Sequence, residues 1–159
     1  MDKFAILMMS LSLSGCAALA PPLPGEPAEA ILARMGPPTA RFAEGAGSVL
    51  EYARGPFGQT TYFAHIDADG RLSRYEQVLT SAQFAKLTIG KSSKDDVLRT
   101  VGHPAEHSYL ALPQLEVWSY RYKEAQVWNS MMHLHFDRDG VLRMMQGGPD
   151  PLFEEHRRR

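Results

Sequence analysis

Cysteine is nearly absent from this chain: one residue, Cys16, stands among 159. A single thiol cannot form an intrachain disulfide or a cysteine cluster for a metal ion. An excess of charge is also lacking, because 17 basic and 18 acidic side chains give a formal net charge of −1. Bulk electrostatics therefore predict no nucleic-acid partner.

Catalytic motifs are missing as well. The sequence contains no Gly-x-Ser-x-Gly elbow, no phosphate loop and no His-Glu-x-x-His pair. Its paired acids have simpler explanations, because Asp95-Asp96 suits the start of a helix and Glu154-Glu155 suits a solvated tail. We therefore predict that the protein is not an enzyme and uses no cofactor.

The N-terminus has the features of a targeting segment. Lys3 precedes the apolar run Phe4–Leu13, whose ten residues are too few to span a bilayer. The run ends in Leu13-Ser14-Gly15-Cys16, which resembles the cleavage box of bacterial lipoproteins. This resemblance implies a signal peptide over residues 1–15 and lipidation of Cys16. An ordinary secretory peptide cleaved near Ala18 or Ala20 is the alternative.

Residues 16–27 are predicted to form a tether. Acyl chains on Cys16 would anchor the protein to a membrane, since each buried CH₂ group contributes about 0.8 kcal/mol. Ala17 stands where inner-membrane lipoproteins carry Asp, so the resemblance favours the periplasmic face of the outer membrane. The four prolines favour an extended polyproline II chain of about 3.1 Å per residue, with a reach of roughly 30 Å. They are Pro21, Pro22, Pro24 and Pro27.

Two stretches of the chain repeat the same features in the same order. Each has an apolar helical stripe, a Gly-x-Pro helix end and an Asp-x-Asp-Gly turn. The matching residues are Ile31, Leu32, Met35, Gly36, Pro38 and Asp67–Gly70 in the first stretch, and Val97, Leu98, Val101, Gly102, Pro104 and Asp137–Gly140 in the second. One copy of about 55 residues would be marginally stable alone. We therefore predict one α+β domain of two tandem repeats, 28–79 and 80–148, each with a short helix or helices packed on an antiparallel β-sheet.

Local signals refine this prediction. Ser92 or Ser93 is expected to cap a helix over Ser93–Val101, and a brief helix is expected at about Ala82–Leu87. The Asp-x-Asp-Gly segments predict tight turns, because neither continues with the further oxygen ligands of a calcium loop. Residues 149–159 are predicted to form a charged tail that is disordered or weakly helical.

The second stretch carries a family resemblance. The residues are Ile89-Gly90-Lys91-Ser92-Ser93, Asp96-Val97, Gly102-x-Pro104, Val117-Trp118-Ser119-Tyr120 and Phe136-Asp137-x-x-Gly140-Val141. They resemble the BamE (SmpA/OmlA) family of small outer-membrane lipoproteins, and the two-copy order is similar to the β-lactamase inhibitor protein. The resemblance implies short helices on an antiparallel sheet and an accessory role with the barrel assembly complex. It assigns no binding residue to this chain.

Two histidines are candidate partner contacts. His133 and His135 alternate with the apolar side chains of Met132, Leu134 and Phe136, so both are expected on the sheet face opposite the core. No cysteine or suitably spaced carboxylate completes a metal site. We therefore expect an exposed, partner-facing polar surface and no metal.

The hairpin in the second stretch is longer than its counterpart and carries Val127 and Trp128. Trp128 either folds back on the core or is an exposed anchor for a partner protein. By contrast, we predict that Trp118, Tyr120 and Tyr122 belong to the core, since they share one face of a strand.

Three functions remain open at this point. The resemblance favours a non-catalytic scaffold in outer-membrane protein assembly or envelope integrity, acting by protein–protein binding. The tandem order also permits an inhibitor-like periplasmic binder that uses its sheet face. A carrier of a lipid or small ligand is the third, and it would need a roomy apolar cavity.

Overall fold

A computed structural model describes residues 20–154. The signal peptide predicted at 1–15, the lipidation site Cys16 and residues 155–159 lie outside the described residues. Within residues 20–154, no helix is long and apolar enough to cross a membrane.

The first half consists of one helix followed by a four-stranded antiparallel sheet in the order β1-β2-β3-β4. Its elements are α1 (Ala28–Met35), β1 (Ala40–Glu44), β2 (Gly47–Ala53), β3 (Thr61–Ile66) and β4 (Leu72–Gln77). The second half repeats this order with β5-β6-β7-β8. Its elements are α2 (Ser81–Phe84), α3 (Lys94–Val101), β5 (Glu106–Leu110), β6 (Leu115–Glu124), β7 (Trp128–Phe136), β8 (Leu142–Pro149) and α4 (Pro151–Glu154). The predicted α+β class with antiparallel sheets is confirmed.

Helix α3 begins and ends at the residues that its sequence indicates. The Ser93 hydroxyl accepts the backbone N–H of Asp96, and the Asp96 carboxylate accepts the N–H of Ser93 at 2.8 Å. These Ser93 hydrogen bonds favour the charged carboxylate and lower the pKa of Asp96. The helix ends at Gly102 with φ of 82°, as α1 ends at Gly36 with the same φ. The two helix ends are therefore equivalent.

Both Asp-x-Asp-Gly turns have the same hydrogen bonds. The Asp67 Oδ1 atom accepts the backbone N–H of Asp69 at 3.0 Å and of Arg71 at 2.9 Å. Asp137 Oδ1 accepts those of Asp139 and Val141 at the same distances. The prediction of tight turns is confirmed, because each first aspartate binds the backbone of its own loop.

Each sheet carries its own apolar core on the side of its helices. In the first half, α1 buries Ile31 against β2, β3 and β4. In the second half, α2 and α3 bury Phe84, Val97 and Val101 against the three aromatic side chains predicted to be core. These are Trp118, Tyr120 and Tyr122, all less than a tenth exposed. That prediction is confirmed.

Three boundaries differ from the sequence-based predictions. Helix α2 ends at Phe84 and does not reach Leu87. The tether is shorter than predicted, because Pro22 is buried and Gly25 donates its N–H to the carbonyl of Leu72 at 2.7 Å. The charged tail begins later than residue 149, since Asp150 is fully buried and its carboxylate pairs with the Arg121 guanidinium. A buried arginine needs such a partner, which holds the end of β8 in place.

A buried carboxylate joins the two halves. Glu51 lies on β2, is inaccessible to solvent, and accepts the backbone N–H of His103 at 2.8 Å. Its other oxygen lies 2.7 Å from His103 Nδ1. His103 follows α3 directly, so this contact places the end of α3 against the first sheet. The Tyr120 hydroxyl donates to the carbonyl of Gly102 at 3.0 Å, which fixes the same segment from the second sheet.

We expect Gly102→Ala to destabilise the fold more than Gly36→Ala. Gly36 and Gly102 have φ of 82° with ψ of −168° and −166°, a backbone conformation essentially restricted to glycine, so both substitutions introduce strain of about 1–3 kcal/mol. Only at Gly102 would the new Cβ lie 2.8 Å from Glu51 Oε1 and from Thr61 Cγ2, whereas Gly36 has nothing within 4 Å. Overpacking should add about 1–3 kcal/mol to the loss at Gly102. Urea unfolding measures both variants, and equal losses would show that this junction does not constrain the fold.

Candidate partner-binding site

The tip of the β6–β7 hairpin projects two apolar side chains into solvent. Ala125 and Gln126 adopt positive φ angles of 47° and 61°, which form the tight turn between the strands. Directly after them, Val127 is 65% exposed and Trp128 is 57% exposed. Trp128 is therefore exposed and does not fold back on the core. The longer hairpin carries the indole past the helices that cover the core.

A groove of about 940 Å³ lies beside this tip. Its base is the helix-facing side of the second sheet, beyond Tyr122. Phe84, the last residue of α2, packs edge-on against Tyr122, with 5.2 Å between the two ring centres. Met132 and Gly147 pair across β7 and β8 in this base. Gly147 has no positive φ that would require glycine, and its missing side chain deepens the groove. Phe153 of α4 lines one wall.

The groove is acidic. Among the described residues, its lining includes the acidic residues Glu124, Asp150 and Glu154 and no lysine or arginine. Asp150 pairs with Arg121, and within residues 20–154 no cation pairs with Glu124 or Glu154. Glu124 Oε2 accepts a hydrogen bond from Ser130 Oγ at 2.9 Å, which orients it. The site therefore combines exposed aromatic and apolar surface with negative charge.

The two candidate histidines lie on the opposite face of β7 from Trp128. His133 pairs with Ser119 and His135 with Val117, so their side chains share one face, as the alternation predicts. His133 Nδ1 lies 2.8 Å from Ser119 Oγ. The four candidate residues therefore do not form a single site. Val127 and Trp128 line the groove, whereas His133 and His135 lie on the opposite face of the sheet.

The expectation of exposure is wrong for His135. This residue is only 5% exposed, and neither ring nitrogen has a hydrogen-bond partner within residues 20–154. Burial, followed by the charge of His133, lowers the pKa of His135. The sequence pattern specified the face of the strand but not how closely neighbouring side chains enclose the ring.

His65 occupies the matching position in the first sheet but has different surroundings. Its Nδ1 lies 2.8 Å from Glu44 Oε2, and its Nε2 lies 3.0 Å from Glu76 Oε1. No local sequence pattern marks carboxylates that meet only across strands, so neither this cluster nor the buried Glu51 was predicted from the sequence. Across residues 20–154, no three His, Cys, Asp or Glu side chains are arranged to hold a metal ion.

We expect His135→Leu to stabilise the protein by about 1 kcal/mol at pH 8, because an unpartnered polar ring is replaced by an apolar side chain. The lowered pKa means that the unfolded chain binds this proton more readily. The free energy of unfolding of the wild type therefore decreases as pH falls below 6.5, the ordinary pKa of histidine, because protonation then favours the unfolded chain. Urea unfolding at pH 8 and at pH 5 measures this effect. Between the two pH values, the free energy of unfolding should decrease less in the variant than in the wild type. His133→Leu is the control and should not stabilise, since His133 has a hydrogen-bond partner. Destabilisation by His135→Leu at both pH values would contradict this account.

Comparisons with known proteins add little. No family model matches the chain, and no curated protein matches it. Among solved structures, the chain is similar to a DUF4309 family protein (YjgB) from Bacillus subtilis, with 13% identity, 77% of each chain covered and a TM-score of 0.34. A TM-score of this size carries no argument about fold or function.

Proposed function

We propose that this protein is a non-catalytic outer-membrane lipoprotein that binds another envelope protein through the groove beside Trp128. The observation that carries the proposal is an indole more than half exposed at the edge of an open groove. Exposed tryptophan next to a concave apolar surface is typical of binding hot spots. Glu124 and Glu154 add selectivity for a partner with basic side chains near its apolar anchor.

The membrane part of the proposal rests on the lipobox that ends in Cys16. Because Pro22–Pro27 belongs to the folded part, the spacer behind a lipidated Cys16 is at most residues 17–21, about 15 Å when extended. The domain would therefore stay close to the membrane surface. A partner that is itself embedded in the outer membrane fits this short reach.

Membership of the BamE-like group is the finer part of the proposal. It is supported by the motifs over 89–141 and by the order of one short helix and four antiparallel strands in each half. A component of the barrel assembly complex is accordingly the first partner to test. A lipid carrier has less support, since the groove is open to solvent and two carboxylates in it, those of Glu124 and Glu154, have no cation partner within residues 20–154.

We expect Trp128→Ala to reduce partner binding about 30-fold or more, the loss typical of a hot-spot residue. The measurement is cross-linking of the full-length protein in outer membranes, followed by mild-detergent purification and mass spectrometry. Leu112→Ala is the matched control, because Leu112 is 99% exposed but lies in the turn between β5 and β6. Recovery of barrel assembly components that falls with Trp128→Ala alone would support the proposal. Equal recovery from all three proteins would remove the groove as the contact.

We expect Cys16→Ala to move the protein from the membrane fraction to the soluble fraction, because the only thiol that can carry the acyl chains is gone. Fractionation and immunoblotting measure this change. Trp128→Ala should remain in the membrane fraction and serves as the control. Retention of Cys16→Ala on membranes would contradict lipid anchoring.

A further inference from the structure

We propose that two copies of this chain pair edge to edge through β5 (Glu106–Leu110), antiparallel and across a two-fold axis at Ser108. This inference goes beyond the proposed function, because it concerns the free protein and a strand that does not line the groove beside Trp128. Two observations carry it. Within residues 20–154 the outer edge of β5 is uncovered, and the sequence of β5 is compatible with pairing to itself.

Two of the other outer strands are covered by the chain itself. Leu72 of β4 accepts the backbone N–H of Gly25 at 2.7 Å and donates its own N–H to the carbonyl of Glu26 at 2.8 Å. Leu142 of β8 forms the same two hydrogen bonds with the segment before α3, also at 2.7 Å and 2.8 Å. A register shift interrupts the pairing of each strand with its neighbour. Neither edge therefore offers a long, regular row of free backbone groups.

Strand β1 is also protected, whereas β5 is not. β1 carries two charged side chains, Arg41 and Glu44, and its Ala43 carbonyl accepts a hydrogen bond from Arg99 at 3.0 Å. The five residues of β5 are all exposed, include no lysine, arginine, proline or glycine, and pair with β6 without a register shift. Within residues 20–154, no other segment bonds to the backbone of β5. Such an edge is a template for a further strand.

The charges of β5 permit pairing with a second copy. Its one acidic side chain, Glu106, is already paired with Arg121 at 2.6 Å, so the edge has no free carboxylate that would select a basic foreign strand. Antiparallel overlap of all five residues places Ser108 opposite itself and Glu106 opposite Leu110. The two Glu106 residues are then about 13 Å apart along the strands, beyond the Debye length of about 8 Å. No like charges therefore face each other.

A row of side chains on the helix-facing side of the sheet would continue into the second copy. Leu134 pairs with Trp118, and Trp118 pairs with His107 of β5. The His107 ring packs edge-on against Trp118, with 5.4 Å between the ring centres. In the symmetric register, Tyr109 of the second copy stands opposite His107 and extends this row. Tyr109 is 60% exposed in the single chain, and the same cross-strand contact forms twice.

The expected dimer is reversible. Pairing of five residues from each chain buries less than the roughly 1,200 Å² of stable complexes. We therefore expect an equilibrium between monomer and dimer that depends on protein concentration.

The first test is disulfide trapping of Ser108→Cys in the full-length chain that also carries Cys16→Ala, so that the introduced thiol is the only one. Opposing Cα atoms in an antiparallel pair are about 4.5–5.5 Å apart, a separation that a disulfide spans. Mild oxidation should therefore yield a covalent dimer on a non-reducing gel. Ser73→Cys in the same background is the matched control, because Ser73 is an exposed serine on the covered strand β4. It should be trapped about tenfold more slowly or less, since nothing holds two copies together there.

Sedimentation equilibrium in density-matched mild detergent measures the association without oxidation. The average mass of the Cys16→Ala chain should rise with concentration from 17.7 kDa toward twice that value. Ser108→Lys should weaken the dimer about fivefold or more, because two ammonium groups then face each other across the axis. Ser73→Lys and Trp128→Ala should leave the association unchanged. Ser108 is exposed, so its substitution should not alter the urea unfolding midpoint.

Equal trapping at both serine positions would overturn the proposal, as would a mass of 17.7 kDa at every concentration. A dimer that Ser108→Lys leaves intact would also overturn it, because another surface would then hold the two copies. Trapping of Ser108→Cys in membranes with a different protein, and not with itself, would make the occupant a foreign strand and would count against a second copy. None of these measurements uses the groove, so failure here and failure of the proposed function are distinguishable.

Discussion

The buried carboxylate of Glu51 is the contact on which the arrangement of the two halves depends. Burying a charge without partners costs several kcal/mol, so Glu51 is stable only where His103 supplies both its backbone N–H and its ring nitrogen. Gly102 allows this approach, because a side chain there would collide with the carboxylate. The hydroxyl of Tyr120 binds Gly102 from the second sheet. This pair of contacts to one carboxylate thereby sets the end of α3 between the two sheets.

This junction has a consequence for where function can lie. The first sheet packs α1 on one face, and on the other it meets the end of α3, where the Phe42 ring stacks on His103 and has Arg99 5.6 Å from its centre. Its histidine, His65, has carboxylates at both ring nitrogens. The second sheet keeps its groove end uncovered, and its histidine, His135, has no hydrogen-bond partner among residues 20–154. The exposed Trp128 and the unpartnered His135 thus both belong to the second half.

Sequence reasoning succeeded where a single local interaction determines the structure. A serine cap, Ser92 or Ser93, was expected for α3, and Ser93 supplies it together with Asp96. Tight turns were expected at the Asp-x-Asp-Gly segments, where Asp67 and Asp137 each bind the N–H groups of their own turn. Sequence reasoning failed where distant strands meet. Asp150 was assigned to a solvated tail, because nothing near it in the sequence indicates that Arg121 would be buried opposite. The sequence predicted the correct face of the strand for His135 but not that its ring is buried.

The groove itself arises from small differences between two otherwise equivalent halves. The longer β6–β7 hairpin extends the second sheet beyond α2. In this extension Met132 of β7 pairs with Gly147 of β8, which has no side chain to fill the space beside it. A concave surface thus forms without any change in the strands that hold the core. Asp150 pairs with Arg121 and also accepts the N–H groups at the start of α4, whose Phe153 lines the groove, so the end of β8 and this wall of the groove depend on the same aspartate. The other lining residues of the groove can therefore vary while Trp118 and Tyr120 remain packed in the core.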